Sequence, residues 1–129
     1  MPIFVQFINQ LEGWKTKCKN LHWAADKNNI HVRLDEFLEV LSDYQDTIAE
    51  GIMGALDVHI GPNDVKGDPG TICCPIEFIH DVKAKALEFY DQIPEEPLYA
   101  GLKSEHETFI YNVCKYAYLF SICECGNKK

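Results

Sequence analysis

The apolar positions Phe4, Phe7, Ile8, Leu11, Trp14, Cys18 and Leu21 recur at steps of three and four residues. That period places them on one face of an amphipathic helix, predicted over about residues 3–24. The polar run Asp26-Lys27-Asn28-Asn29 leaves room only for a short connection, which favours an antiparallel return. Leu34, Phe37, Leu38, Leu41, Ile48 and Ile52 then mark a second helix over residues 29–54.

From Gly54 to Cys74 the pattern dissolves. Gly61-Pro62-Asn63 and Gly67-Asp68-Pro69-Gly70 are dense in turn formers and predict a long connection with one short helical turn, long enough to cross a bundle. Pro75 suits a first helical position, and Ile76, Ile79, Ala86, Phe89 and Ile93 predict a third helix ending before Pro94. Glu95-Glu96-Pro97 continues the break. Ser104 followed by Glu107 has capping-box spacing, so the fourth helix is expected to start there, carrying Phe109, Val113, Tyr116, Ala117 and Phe120 to about residue 123. No strand pattern competes, and Gly126-Asn127-Lys128-Lys129 reads as a frayed tail. The fold class is all-α: a four-helix bundle with a long connection between helices two and three.

Composition narrows this picture. With 129 residues, 47% of them hydrophobic, the chain suits one compact domain over residues 1–129. Twenty acidic residues against twelve basic ones give a formal charge of −8, which repels phosphate backbones, so nucleic acid is not an expected partner. The start, MPIFVQFINQLEGW, lacks the features of a signal peptide, and no apolar run approaches the roughly 18 residues of a membrane span. A soluble cytoplasmic protein without a membrane partner is expected. The six cysteines, Cys18, Cys73, Cys74, Cys114, Cys123 and Cys125, are then expected as thiols.

The candidate chemistry lies on helix two. His31 and Asp35, like Asp46 and Glu50, are four residues apart, which puts each pair on one face one turn apart. His22 lies just upstream. Fifteen residues separate His31 from Asp46, about 22 Å along the axis with only about 60° of rotation, so the two pairs share a face and cannot share an ion. A second copy packed antiparallel across a two-fold axis would bring the histidine end of one chain to the carboxylate end of the other. Carboxylate and imidazole together suit iron, manganese or zinc, with iron favoured. Each residue alone also has an ordinary reading, as a helix-start histidine, an ion-paired aspartate or part of a solvated acidic face.

Asn20-Leu21-His22-Trp23, His31-Val32-Arg33-Leu34-Asp35 and Asp46-Thr47-Ile48-Ala49-Glu50 together resemble the ferroxidase signature of the Dps family, the twelve-subunit miniferritins. In that signature a His-Trp pair is followed by a histidine with an aspartate four residues on, then by Asp-x-x-Ala-Glu eleven beyond that aspartate. The likeness is sharp over residues 20–51 and architectural over helices three and four. Seven residues separate Trp23 from His31, fewer than the family usually has.

The resemblance implies a ferritin-like fold, a hollow homo-oligomeric cage and a di-iron centre shared across a two-fold. His22 and His31 would bind iron from one subunit with Asp35 nearby, Asp46 and Glu50 would come from the partner, and Trp23 would pack beside the centre. It further implies oxidation of Fe(II) by peroxide or dioxygen, storage of Fe(III) and protection against oxidative damage, with zinc a substitute occupant. The chain lacks the lysine-rich N-terminal arm on which DNA-coating members rely, so DNA binding is not carried over. The alternative is a catalytically inactive ferritin-like structural or interaction module, its sites degenerate or zinc-occupied.

Other constellations are weaker. Glu77-x-x-His80 has the spacing used in intrasubunit di-iron centres, with Glu105 or Glu107 as the only conceivable help. His59 and His106 are expected at the surface. Cys73-Cys74 and Cys123-x-Cys125 lack the usual zinc-knuckle spacing but would make a four-thiolate zinc or copper site if the helix ends met. Tyr111, Tyr116 and Tyr118 are expected to be packing groups rather than redox relays.

Overall fold

A computed structural model describes residues 2–123, and among these the regular structure is helical. Helix α1 spans Pro2–Ala24, α2 spans Asn28–Leu56, α3 spans Pro75–Gln92 and α4 spans Ala100–Ser121, with a 3-10 turn at Pro97–Tyr99 leading into α4. No helix among the described residues is long and apolar enough to cross a membrane.

The main packing partners follow a ring, α1 on α2, α2 on α4, α4 on α3 and α3 on α1. Aromatic contacts set the directions. Phe4 and Phe7, early in α1, meet Phe89 near the end of α3, so these two helices run antiparallel. Phe37 meets both Phe78 at the start of α3 and Phe120 at the end of α4, while Tyr44 stacks on Phe109. Helices α2 and α3 therefore run parallel, and the order is up, down, down, up.

That order forces residues 57–74 to return along the length of the helices. They do so against α1. Asn9 accepts a hydrogen bond from the Lys66 amide, and farther along α1 the backbone of Gly67 and Asp68 lies directly on Gly13. A Cβ on Gly13 would stand 2.3 Å from the Asp68 carbonyl oxygen, and one on Gly67 would stand 2.5 Å from the Gly13 nitrogen. Two glycines thus let an extended segment cross a helix at backbone contact. The expected short helical turn is not present as a helix in this segment, which the turn bond from the Asp64 amide to the Gly61 carbonyl and the Asn9 side chain on the Lys66 amide hold instead.

One apolar core runs through the ring, from Phe4, Phe7 and Leu11 on α1 to Phe37, Leu41 and Ile48 on α2, Phe78 and Val82 on α3, and Phe109 and Phe120 on α4. Helix α2 continues past Gly54 to Leu56 and stops at Asp57, whose φ of 56° is left-handed and whose amide bonds the Met53 carbonyl. Helix α3 begins on Pro75 with Glu77 in its first turn and ends where Ile93 turns extended ahead of Pro94.

Two further expectations are corrected. Helix α4 starts at Ala100, four residues before Ser104, because Pro97 opens a 3-10 turn that feeds the helix and Leu102 is already on its core face. Ser104 and Glu107 lie inside the helix, where Glu107 accepts a hydrogen bond from the Tyr90 hydroxyl. His106, expected at the surface, is fully buried at 0% exposure. It falls on the stripe Leu102, His106, Phe109, Val113, Tyr116 and Phe120, and its two ring nitrogens find partners inside the core.

Candidate metal centre

His22 is in the last turn of α1 and His31 in the first turn of α2, so the three-residue connection between these helices brings them side by side. Their rings stack with centroids 3.8 Å apart and planes 21° apart. His22 Nδ1 lies 2.8 Å from the His31 carbonyl oxygen, and His31 Nδ1 lies 2.8 Å from the His22 carbonyl oxygen. A carbonyl only accepts, so each Nδ1 carries the proton and donates it. In the neutral ring Nε2 is then the nitrogen with a lone pair, the state a metal ligand requires.

The exchange also serves the chain. The His22 carbonyl is one of the last four of α1 and has no partner further along that helix, and the His31 imidazole supplies one. Backbone hydrogen bonding of this kind is what orients ligating imidazoles in metal sites.

The carboxylates stand apart from this pair. Asp35, Asp46 and Glu50 are all exposed on α2. Among the described residues none of the three enters an ion pair or hydrogen bond, which leaves their oxygens to solvent. Their outward setting is fixed from the other side of α2. Buried Gln45 donates through Nε2 to the Ile8 carbonyl at 3.3 Å and to Glu12 at 3.0 Å, and accepts from Lys15 at 2.9 Å. This polar clamp holds the rotation of α2 against α1, and Asp46, the next residue, is turned to the surface. Nothing in the residue pattern distinguished Gln45 beforehand.

A single chain therefore brings together two of the five predicted residues, His22 and His31. Among the described residues no group of three or more histidine, cysteine, aspartate or glutamate side chains is placed to hold an ion. Trp23 is 68% exposed and borders a groove of about 500 Å³ lined by Glu12, Lys15, Thr16, Asn20, Leu38 and Ser42.

The weaker constellations separate in space or chemistry. Glu77 and His80 are exposed on α3, outside the helix interior where an intrasubunit centre is built. Glu105 is exposed, and Glu107 is bonded to Tyr90. Cys73 is exposed and Cys123 donates to the Leu119 carbonyl, while Cys125 lies outside the described residues. His59 is exposed. Cys18 is buried, donates to the Leu34 carbonyl at 3.2 Å, and has its thiol pushed up to about 12, first by burial and then by Asp35. No protein-family model, curated protein or solved structure matches this chain.

Proposed function

We propose that this chain is the subunit of a ferritin-like, Dps-like miniferritin. It oxidises ferrous iron at a site completed between two copies and stores the ferric product in an oligomeric shell. The observation that carries this reading is the His22–His31 pair, two imidazoles fixed by their Nδ1 donors with both Nε2 atoms available as ligands. The up-down-down-up helix order with one long crossover supports it, since that is the connectivity of ferritin-like bundles.

The division of labour follows from distance. His31 and Asp46 are too far apart on one helix to hold the same ion, so the imidazoles of one copy and the Asp46 and Glu50 carboxylates of another supply a mixed nitrogen and oxygen site. Two ferrous ions held there would reduce one peroxide by two electrons, the O–O bond breaking to leave water or hydroxide and no hydroxyl radical.

Anaerobic Fe(II) titration followed by peroxide tests this directly. Oxidation is expected to outpace that in buffer and to be lost when Asp46→Ala and Glu50→Ala are combined; an unchanged rate rejects the proposal.

The reciprocal histidine bonds favour a second reading, in which the pair is a clasp for the α1–α2 turn in an inactive ferritin-like module. Mass in solution separates the two. A stable monomer cannot build a shared site and favours the clasp.

A further inference from the structure

The core contains a second polar pair that the iron reading does not use. Tyr44 on α2 and His106 on α4 lie with Oη and Nδ1 2.5 Å apart, both side chains buried. His106 Nε2 is 2.7 Å from the Ala86 carbonyl oxygen on α3. The carbonyl accepts, so Nε2 carries the proton, Nδ1 presents its lone pair, and the Tyr44 hydroxyl donates into it. Phe7, Phe89, Tyr90 and Phe109 surround the imidazole, with ring centroids between 5.2 and 6.3 Å away.

From this geometry we propose that Tyr44 and His106 form a proton-coupled one-electron redox site. A phenol loses an electron readily only if its proton has somewhere to go. A backbone carbonyl accepting from the phenol could not take the proton. Here the acceptor is an imidazole nitrogen with a free lone pair, which can take it. When a one-electron oxidant of the hydroxyl-radical class takes an electron from Tyr44, the phenolic proton passes to His106 Nδ1. The products are a neutral phenoxyl radical, a histidinium whose Nε2–H still bonds the Ala86 carbonyl, and the oxidant with its charge lowered by one, hydroxide in the case of hydroxyl radical. Return of one electron from an ascorbate-class reductant, itself oxidised to its radical, restores the phenol, and the proton travels back along the same 2.5 Å contact.

The oxidant need not enter the core. Tyr44, 7% exposed, borders a groove of about 210 Å³ between α2 and α4, lined also by Asp43, Glu105, Thr108 and Phe109. Its acidic rim leaves a neutral oxidant such as hydroxyl radical unhindered and favours a cationic one. The redox pair itself does not depend on the iron reading.

The test uses the whole protein labelled with nitrogen-15 histidine and oxidised by photogenerated tris(bipyridine)ruthenium(III), with no iron present. Freeze-quenched electron paramagnetic resonance is expected to show a tyrosyl radical coupled to a histidine nitrogen, outlasting the radicals on exposed Tyr111 and Tyr118. Its formation is expected to slow in D2O. The component is expected to be lost in Tyr44→Phe and in His106→Asn, with helicity retained. Absence of histidine-nitrogen coupling in the unsubstituted protein overturns the proposal, as does a coupled signal that survives Tyr44→Phe. Should either variant fail to fold, the isotope measurement on the unsubstituted protein decides. Failure of peroxide-driven iron oxidation alongside a positive radical result removes only the iron reading.

Discussion

His22 and His31 each donate an Nδ1 proton to the other's backbone carbonyl across the turn between α1 and α2, at 2.8 Å in both directions. One geometry therefore serves a clasp and a ligand pair, and a suitable substitution separates the two. Asparagine carries an amide N–H at nearly the position of Nδ1 and has no counterpart of Nε2. His22→Asn and His31→Asn are each expected to keep the melting behaviour within about 1 kcal/mol, because the hydrogen bond is replaced rather than removed. Fe(II) or Co(II) affinity is expected to fall sharply in both. Calorimetric titration with Co(II), beside denaturant unfolding of the same samples, checks this; undiminished Co(II) binding in the double variant rejects the ligand role.

The crossing of Gly13 and Gly67 gives a sharper test of the fold. A methyl group on Gly13 would run into the Asp68 carbonyl at 2.3 Å, so Gly13→Ala must push the crossover off α1. The expected cost is about 1–3 kcal/mol, typical of overpacking. Gly54→Ala supplies the control, since its added methyl meets nothing within 4 Å. There alanine is expected to stabilise α2 by about 0.5–1 kcal/mol through backbone entropy alone. Urea unfolding of the two variants should therefore move in opposite directions.

Much of this architecture was legible along the chain because helix burial repeats at three and four residues. The stripe from Phe4 to Leu21 is the buried face of α1, and Pro75 and Pro94 bracket α3. What escaped depends on partners distant in sequence. Ser104 and Glu107 have the spacing of a cap, yet Leu102 packs in the core and pulls the helix start back to Ala100. His106 is polar by type and surface-like by expectation, and Tyr44, 62 residues away, together with the Ala86 carbonyl makes its burial tolerable. Its step of four from Leu102 and three from Phe109 was the available signal. For the site, the pairwise spacing on α2 was readable, whereas the bonds between His22 and His31 required the turn itself.

Burial of His106 also sets a pH dependence. Desolvation pulls its pKa below the ordinary histidine value, and the Ala86 hydrogen bond and Glu107 offset only part of that. The folded protein therefore binds this proton less readily than the unfolded chain does. The associated stability is fully present above the unfolded value of about 6.5 and is lost as pH falls toward the lower folded value. One such group contributes a slope of at most about 1.4 kcal/mol per pH unit. His106→Gln retains a polar group in the core without a titrating ring. The difference in unfolding free energy between the two proteins should shrink from pH 7.5 to about 5.5; a constant difference would show that His106 titrates alike in both states.

Thiol reactivity is expected to divide the cysteines by environment. Alkylation proceeds through the thiolate and needs access. Cys18 has neither, being buried between α1 and α2, bonded to the Leu34 carbonyl and pushed up to about 12. Cys73 and Cys114 are exposed. Brief iodoacetamide treatment of the native protein at pH 8, followed by peptide mass spectrometry, should modify Cys73 and Cys114 and leave Cys18 untouched until denaturant is added. Because Cys18 reports on the contact that aligns the two helices beneath the histidine pair, its protection in His22→Asn and His31→Asn would show that any loss of metal binding came from the ligands. Early labelling of Cys18 in either variant would instead mean that the α1–α2 hairpin had opened.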